Sequence, residues 1–149
     1  MELLGNGSPA AAAQVLQRAA TAEPASRSVR EALARAQFDA GRYAEAADNF
    51  RMIVEASPSD DYAHFGLGLA LARTGHHAAA AEYLALAAAM RPDARHYTEA
   101  LRSVRATLRA QEDARQPRPD AGTQRRPDAS TQRRPDASTQ RDAATDDNR

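Results

Sequence analysis

Four histidines, a pair of adjacent aspartates and a pair of close glycines are the residues whose types could carry chemistry. A zinc site needs three or four convergent ligands at about 2 Å. His76 and His77 adjoin at a turn signal, and His64 lies 12 residues before His76, about 18 Å along a helix axis. His96 follows the next proline, and no carboxylate spacing completes a ligand set. Cysteine is absent, which removes disulfides, thiolate catalysis and Cys-ligated zinc. Asp60 and Asp61 could serve as paired carboxylates in acid–base work. Their place after Pro58-Ser59 makes them a helix cap instead. Gly66-Leu67-Gly68 is no phosphate loop, because neither G-x-G-x-x-G nor G-K-S/T surrounds it. It falls within a helical segment, where glycine costs about 1 kcal/mol relative to alanine. Close packing at Gly68 and room in a groove at Gly66 are the returns. The chain therefore reads as non-enzymatic, without metal or cofactor.

The composition narrows the partner. The chain has 149 residues, 42% hydrophobic and 27% charged, and its net charge is zero. Twenty arginines oppose twenty acids, and lysine is absent. The balance holds at 12 and 12 in residues 1–110 and at 8 and 8 in residues 111–149. Duplex nucleic acid and anionic membranes select a basic excess, so neither is expected. Alanine is the commonest residue, 37 in all, which together with arginine for lysine suggests a GC-rich bacterial coding sequence. Met1-Glu2-Leu3-Leu4-Gly5 has no basic region before an apolar one, unlike a secretory signal. The most apolar stretch, Ala78–Met90, is 13 residues long and contains Glu82, short of the ~20 that span a bilayer. A cytoplasmic protein is expected.

The elements that position these residues recur with one period. Pro24, Pro58 and Pro92 are 34 residues apart, as are Gly7, Gly41 and Gly75, and Ala12, Ala46 and Ala80. Leu16, Phe50 and Leu84 keep the same spacing, as do Leu33, Leu67 and Leu101. Proline breaks the helix interior and marks connections. Gly41 and Gly75 stand where a helix ends in a left-handed residue. Two helical segments fit each interval: Arg27–Ala40 with Tyr43–Ala56, then Asp61–Thr74 with His77–Met90. Ala46, Phe50, Ile53 and Val54 fall on one helical face. Ser8-Pro9 reads as a cap followed by proline at the first helical position. Asp60 and Asp93 precede the next helices, and Glu31–Arg35 has the spacing of a helical ion pair.

This pattern resembles the tetratricopeptide repeat, a 34-residue helix–turn–helix unit. The first repeat carries Leu33, Ala34, Gly41, Tyr43, Ala46, Phe50, Ile53 and Pro58. The second carries Phe65, Leu67, Gly68, Gly75, Ala80, Leu84, Ala87 and Pro92. Arg30 and His64 stand where the family often has tryptophan, and His77 replaces the tyrosine seen at Tyr43. Arg102 and Arg105 occupy positions that a third repeat would fill with small and apolar residues. The resemblance implies an all-α, short right-handed superhelix (an α-solenoid) over residues 1–110. It comprises a half repeat 7–24, full repeats 27–58 and 61–92, and a closing helix 93–109. The inner stripe of that helix is Tyr97, Leu101, Val104 and Leu108.

The family uses its concave face, lined by first helices, to bind extended or helical peptides. Matching the register places Arg35, Phe38, Tyr62, Phe65, Leu69 and Arg73 there, with Glu31, Asp39, His96, Glu99 and Ser103 alongside. Exposed aromatics and arginine are common energetic centres of interfaces. The lysine and asparagine with which some members grip a terminal carboxylate have no counterparts. The implied function is a protein-interaction adaptor for an unidentified protein or peptide. The alternative is a structural accessory subunit or homodimer joined through helical ends, by way of Tyr97 or Leu108.

The rest of the chain is different in kind. Residues 118–125, 126–133 and 134–141 read RPDAGTQR, RPDASTQR and RPDASTQR. No large apolar residue occurs in residues 109–149. Burial there cannot offset a backbone ordering cost of roughly 1–2 kcal/mol per residue, so a disordered tail is expected over 111–149.

Overall fold

A computed structural model describes residues 7–119. Residues 120–149, which hold nearly all of the octads, lie outside the described residues, and with them most of the expected tail. Among the described residues six helices follow one another: α1 (Pro9–Ala22), α2 (Arg27–Asp39), α3 (Tyr43–Ala56), α4 (Asp61–Arg73), α5 (His77–Met90) and α6 (Arg95–Arg115). No strand occurs among the described residues.

The two glycines end their helices as their spacing implies. Gly41 has φ 77° and Gly75 has φ 86°, a region that L side chains avoid. The turn beyond each is closed by the backbone. Arg42 N–H donates to Gln37 C=O at 2.8 Å, and His76 N–H donates to Leu71 C=O at 2.9 Å. These are the long bonds of Schellman caps, which satisfy carbonyls left free at a helix end. Helix starts also keep the period. Ser26 Oγ accepts from Val29 N–H at 3.4 Å, and Asp60 Oδ1 accepts from Ala63 N–H at 3.0 Å.

The third cap differs from expectation. Ala94, not Asp93, occupies the cap position of α6 and makes no side-chain bond. The period decides this, because Ser26, Asp60 and Ala94 are 34 apart. Asp93 lies one residue earlier and faces Arg91 at 3.5 Å. Ser8 caps α1 by position but forms no side-chain bond. The last helix also runs six residues past Arg109, to Arg115. Its apolar stripe stops at Leu108, but Ala110–Arg115 are, apart from Asp113, good helix formers that extend an existing ladder at little cost.

Each helix packs against its neighbours in sequence, and α4 also meets α2 on one side and α6 on the other. The first helices of successive hairpins therefore lie side by side. Ala46, Leu67, Ala80 and Leu84 are fully buried, with Phe50 and Ile53 nearly so. Burying a Leu, Ile or Phe side chain contributes about 1.5–3 kcal/mol. Gly68 permits a close approach of α4 to α5, because a Cβ there would stand 2.6 Å from Leu84 Cγ and 3.2 Å from the Ala80 carbonyl oxygen. Where the tryptophan position is polar, the packing is bonded instead. Arg30 donates to Asn49 Oδ1 and to the Pro24 carbonyl, each at 3.0 Å. One period on, buried His64 holds Nδ1 2.8 Å from the Asp60 carbonyl and lies against Tyr83.

Candidate functional site

The face shared by α2, α4 and α6 carries a hollow of about 170 Å³. It is lined by Arg35, Phe38 and Asp39 from α2, Phe50 from α3, and Tyr62, Phe65, Gly66 and Leu69 from α4. Engineered cavities of about 150 Å³ hold one benzene, so the hollow admits a single ring or aliphatic side chain.

Its shape follows from one close approach. Phe50 is a core residue of the 34-residue ladder, yet its ring reaches through to form the floor. It can do so because residue 66 has no side chain. A Cβ at Gly66 would lie 2.5 Å from the Phe50 ring. The walls are aromatic. Phe50 and Tyr62 meet edge to face at 6.2 Å, and Phe65 stacks on Tyr97 at 4.6 Å. His96 closes on Phe65 edge-on at 5.2 Å. Tyr97 in turn donates its hydroxyl to Asp61 Oδ2 at 2.7 Å, tying α6 to the start of α4.

Two guanidinium groups flank the rings. Arg35 lies 6.0 Å from the Tyr62 ring centroid. Arg73 lies 5.6 Å from the Phe38 ring and 5.4 Å from Tyr43, and donates to the Tyr43 hydroxyl at 3.2 Å. Neither arginine is within 4.0 Å of a carboxylate oxygen among the described residues. The expected Glu31–Arg35 ion pair is thus not formed; Arg35 leans toward α4 and its tyrosine rather than along its own helix. Burial raises the pKa of the Tyr62 phenol above its usual range, with Arg35 opposing the shift. Burial and the bond to Asp61 raise the pKa of the Tyr97 phenol.

Five of the six residues singled out in the sequence line the hollow: Arg35, Phe38, Tyr62, Phe65 and Leu69. The sixth, Arg73, stands at its margin against Phe38. Phe38, Tyr62, Phe65 and Leu69 are only partly buried and also pack on the core. Sequence reasoning missed Phe50, whose ladder position marked it as core alone. Tyr97 does not belong to an end surface. It is 4% exposed beneath Phe65, and Leu108 packs on the core.

The remaining candidates for chemistry are dispersed. Asp60 is a cap and faces Arg27 at 3.4 Å, while Asp61 holds Tyr97 and approaches Arg91 to 3.8 Å. His76 Nδ1 lies 3.0 Å from Thr74 Oγ1 at the turn. Among the described residues no three His, Cys, Asp or Glu side chains are placed to hold a metal ion, and no helix is long and apolar enough to cross a membrane.

Comparison with known proteins gives a family and a set of folds. The family model described as tetratricopeptide repeat matches residues 1–61 and 54–95. No curated protein matches the sequence. Among solved structures, MamA AMB-1 is 21% identical with a TM-score of 0.64, over 75% of this chain and 61% of that one. MamA MSR-1 is also 21% identical, with a TM-score of 0.65 over 75% and 64% of the two chains. This chain thus spans less than two thirds of either MamA chain. The first TPR of Spaghetti (RPAP3), bound to the HSP90 peptide SRMEEVD, is 19% identical with a TM-score of 0.66, over 72% and 85% of the chains. At these identities the likeness is one of fold.

Proposed function

The chain belongs to the tetratricopeptide repeat family, and from that premise we propose that it is a cytoplasmic adaptor that captures a peptide or helix of a partner protein on the α2–α4–α6 face. One observation carries the reading: a hollow sized for a single side chain, floored by Phe50 and walled by Phe38, Tyr62, Phe65 and Leu69. A partner's apolar residue enters it, and Arg35 and Arg73 engage acceptors on either side. Aromatic and arginine anchors around a desolvated pocket are what concentrate binding energy at interfaces. No bond is made or broken in this mechanism.

A relative in fold bound to the peptide SRMEEVD supports a peptide-binding role for this fold. The lysine with which some family members grip a terminal carboxylate is absent from this chain. The two arginines and the aromatic hollow supply the recognition instead.

Affinity capture with the full chain tests this. Leu69→Ala combined with Arg35→Glu lowers recovery of the wild-type partner at least tenfold, while circular dichroism keeps its helical signal. Equal recovery by both proteins removes the hollow from the binding surface.

A further inference from the structure

Sulfur is scarce in this chain. Cysteine is absent, and methionine occurs only at positions 1, 52 and 90. Of the two methionines among the described residues, Met90 is half-buried and Met52, on α3, is 49% exposed. Met52 faces a guanidinium group. Arg30 Nη1 donates to Met52 Sδ at 3.2 Å and to Asn49 Oδ1 at 3.0 Å, while its Nη2 donates to the Pro24 carbonyl at 3.0 Å. Arg30 thus pins the α1–α2 connection to α3, and the thioether is the weakest of its three acceptors.

The arrangement is not a demand of the repeat. Thirty-four residues on, His64 stands for Arg30, Tyr83 for Asn49 and Leu86 for Met52. Hairpin stacking therefore proceeds without a sulfur set against a guanidinium. A hollow of about 360 Å³ opens beside the pair, with Pro24, Arg30, Met52 and Ile53 in its lining. It has room for one added oxygen atom, and it shares no lining residue with the aromatic hollow.

A thioether in this setting reacts with a peroxide. A sulfur lone pair attacks one peroxide oxygen, so that an S–O bond forms as the O–O bond breaks. The sulfur loses two electrons to the peroxide, and the departing hydroxide takes the proton of the new S–OH group and leaves as water. The product is methionine sulfoxide, a polar group in place of an apolar one. Its oxygen accepts hydrogen bonds far better than the parent sulfur, and a bond from a guanidinium is charge-assisted.

We propose that Met52 is an oxidation site for peroxide, and that Arg30 holds the sulfoxide oxygen in place of the sulfur. Oxidation of a methionine in an apolar core disrupts packing. Here it strengthens the join between the α1–α2 connection and α3. The site does not depend on the identity of any partner held elsewhere.

Treatment of the full chain with dilute hydrogen peroxide tests this. Peptide mass mapping is expected to show oxygen uptake at Met52 severalfold faster than at Met90; equal or slower uptake overturns the proposal. Thermal unfolding follows in a Met90→Leu background, which removes any effect of residue 90. Oxidation is expected to raise the melting midpoint by a few degrees, and an unchanged or lower midpoint overturns the proposal. Adding Met52→Leu, or Arg30→Lys, which keeps the charge but loses the fork, is expected to abolish the rise. An equal rise in either variant overturns the proposal.

Discussion

A Cβ on Gly66 would stand 2.5 Å from the ring of Phe50, so the hollow on the shared helix face exists because one residue of α4 lacks a side chain. The Phe50 ring is 2% exposed and lies edge to face with Tyr62, so it cannot swing aside. Helix propensity alone would make Gly66→Ala stabilising by about 1 kcal/mol. Overpacking a filled site costs about 1–3 kcal/mol, and we expect it to win. Urea unfolding should show a lower midpoint for Gly66→Ala. In a Phe50→Leu background, the same change should be neutral or stabilising.

The helix caps make a graded series. Asp60→Ala removes an accepted N–H bond and the partner of Arg27, at an expected cost of about 1 kcal/mol. Ser8→Ala should leave stability nearly unchanged, since that hydroxyl forms no capping bond. Ala94→Ser should gain about 0.5–1 kcal/mol, because residue 94 already has the extended backbone of a cap at φ −79° and ψ 92°. Thermal unfolding of the three variants ranks them.

Tyr97 links the chemistry of pH to the join between α4 and α6. Its phenol is held neutral in the folded state by burial and by its bond to Asp61, so its ionisation lies above the ordinary value of 10.0. The unfolded chain releases that proton first as pH rises. Stability from this group is complete below about pH 10 and falls as pH climbs above it. Tyr62 contributes in the same direction. Tyr97→Phe keeps the stack on Phe65, loses the bond to Asp61 at an expected cost of about 1 kcal/mol, and should flatten the alkaline decline. Unfolding free energies measured from mildly to strongly alkaline pH for both proteins check the sign.

Gly41 and Gly75 have open space around them but positive φ. Alanine at either position meets backbone strain rather than a clash. Each substitution should cost about 1 kcal/mol. Gly68→Ala should cost more, because the Ala80 carbonyl in its way is backbone and cannot rotate aside. Chemical denaturation of the three single variants tests that order.

The 34-residue spacing made most of the helix boundaries legible, since proline and glycine act on the backbone within a residue or two of where they stand. It was less informative where two local rules competed. Asp93 has the chemistry of a cap and Ala94 has the register, and register prevailed because the hairpin stack fixes where α6 begins. Arg35 has an i,i+4 partner in Glu31, yet a ring on α4 attracts it, which only tertiary contact reveals. Phe50 shows the same limit from the other side. Its spacing marks it as core, and nothing short of the Gly66 contact shows that the ring emerges as a floor. The end of α6 was invisible to apolar periodicity, since Ala110–Arg115 carry no large apolar side chain.

The central claim is that partners are held on the α2–α4–α6 face and not on the outer one. Site-specific photo-cross-linking in cells tests it whatever the partner's identity. A benzophenone amino acid replaces Phe38, beside the hollow, or Leu86, which is 48% exposed on α5. We expect a heavier covalent adduct from position 38 and none from position 86. Adducts from position 86 with none from position 38 would contradict the account.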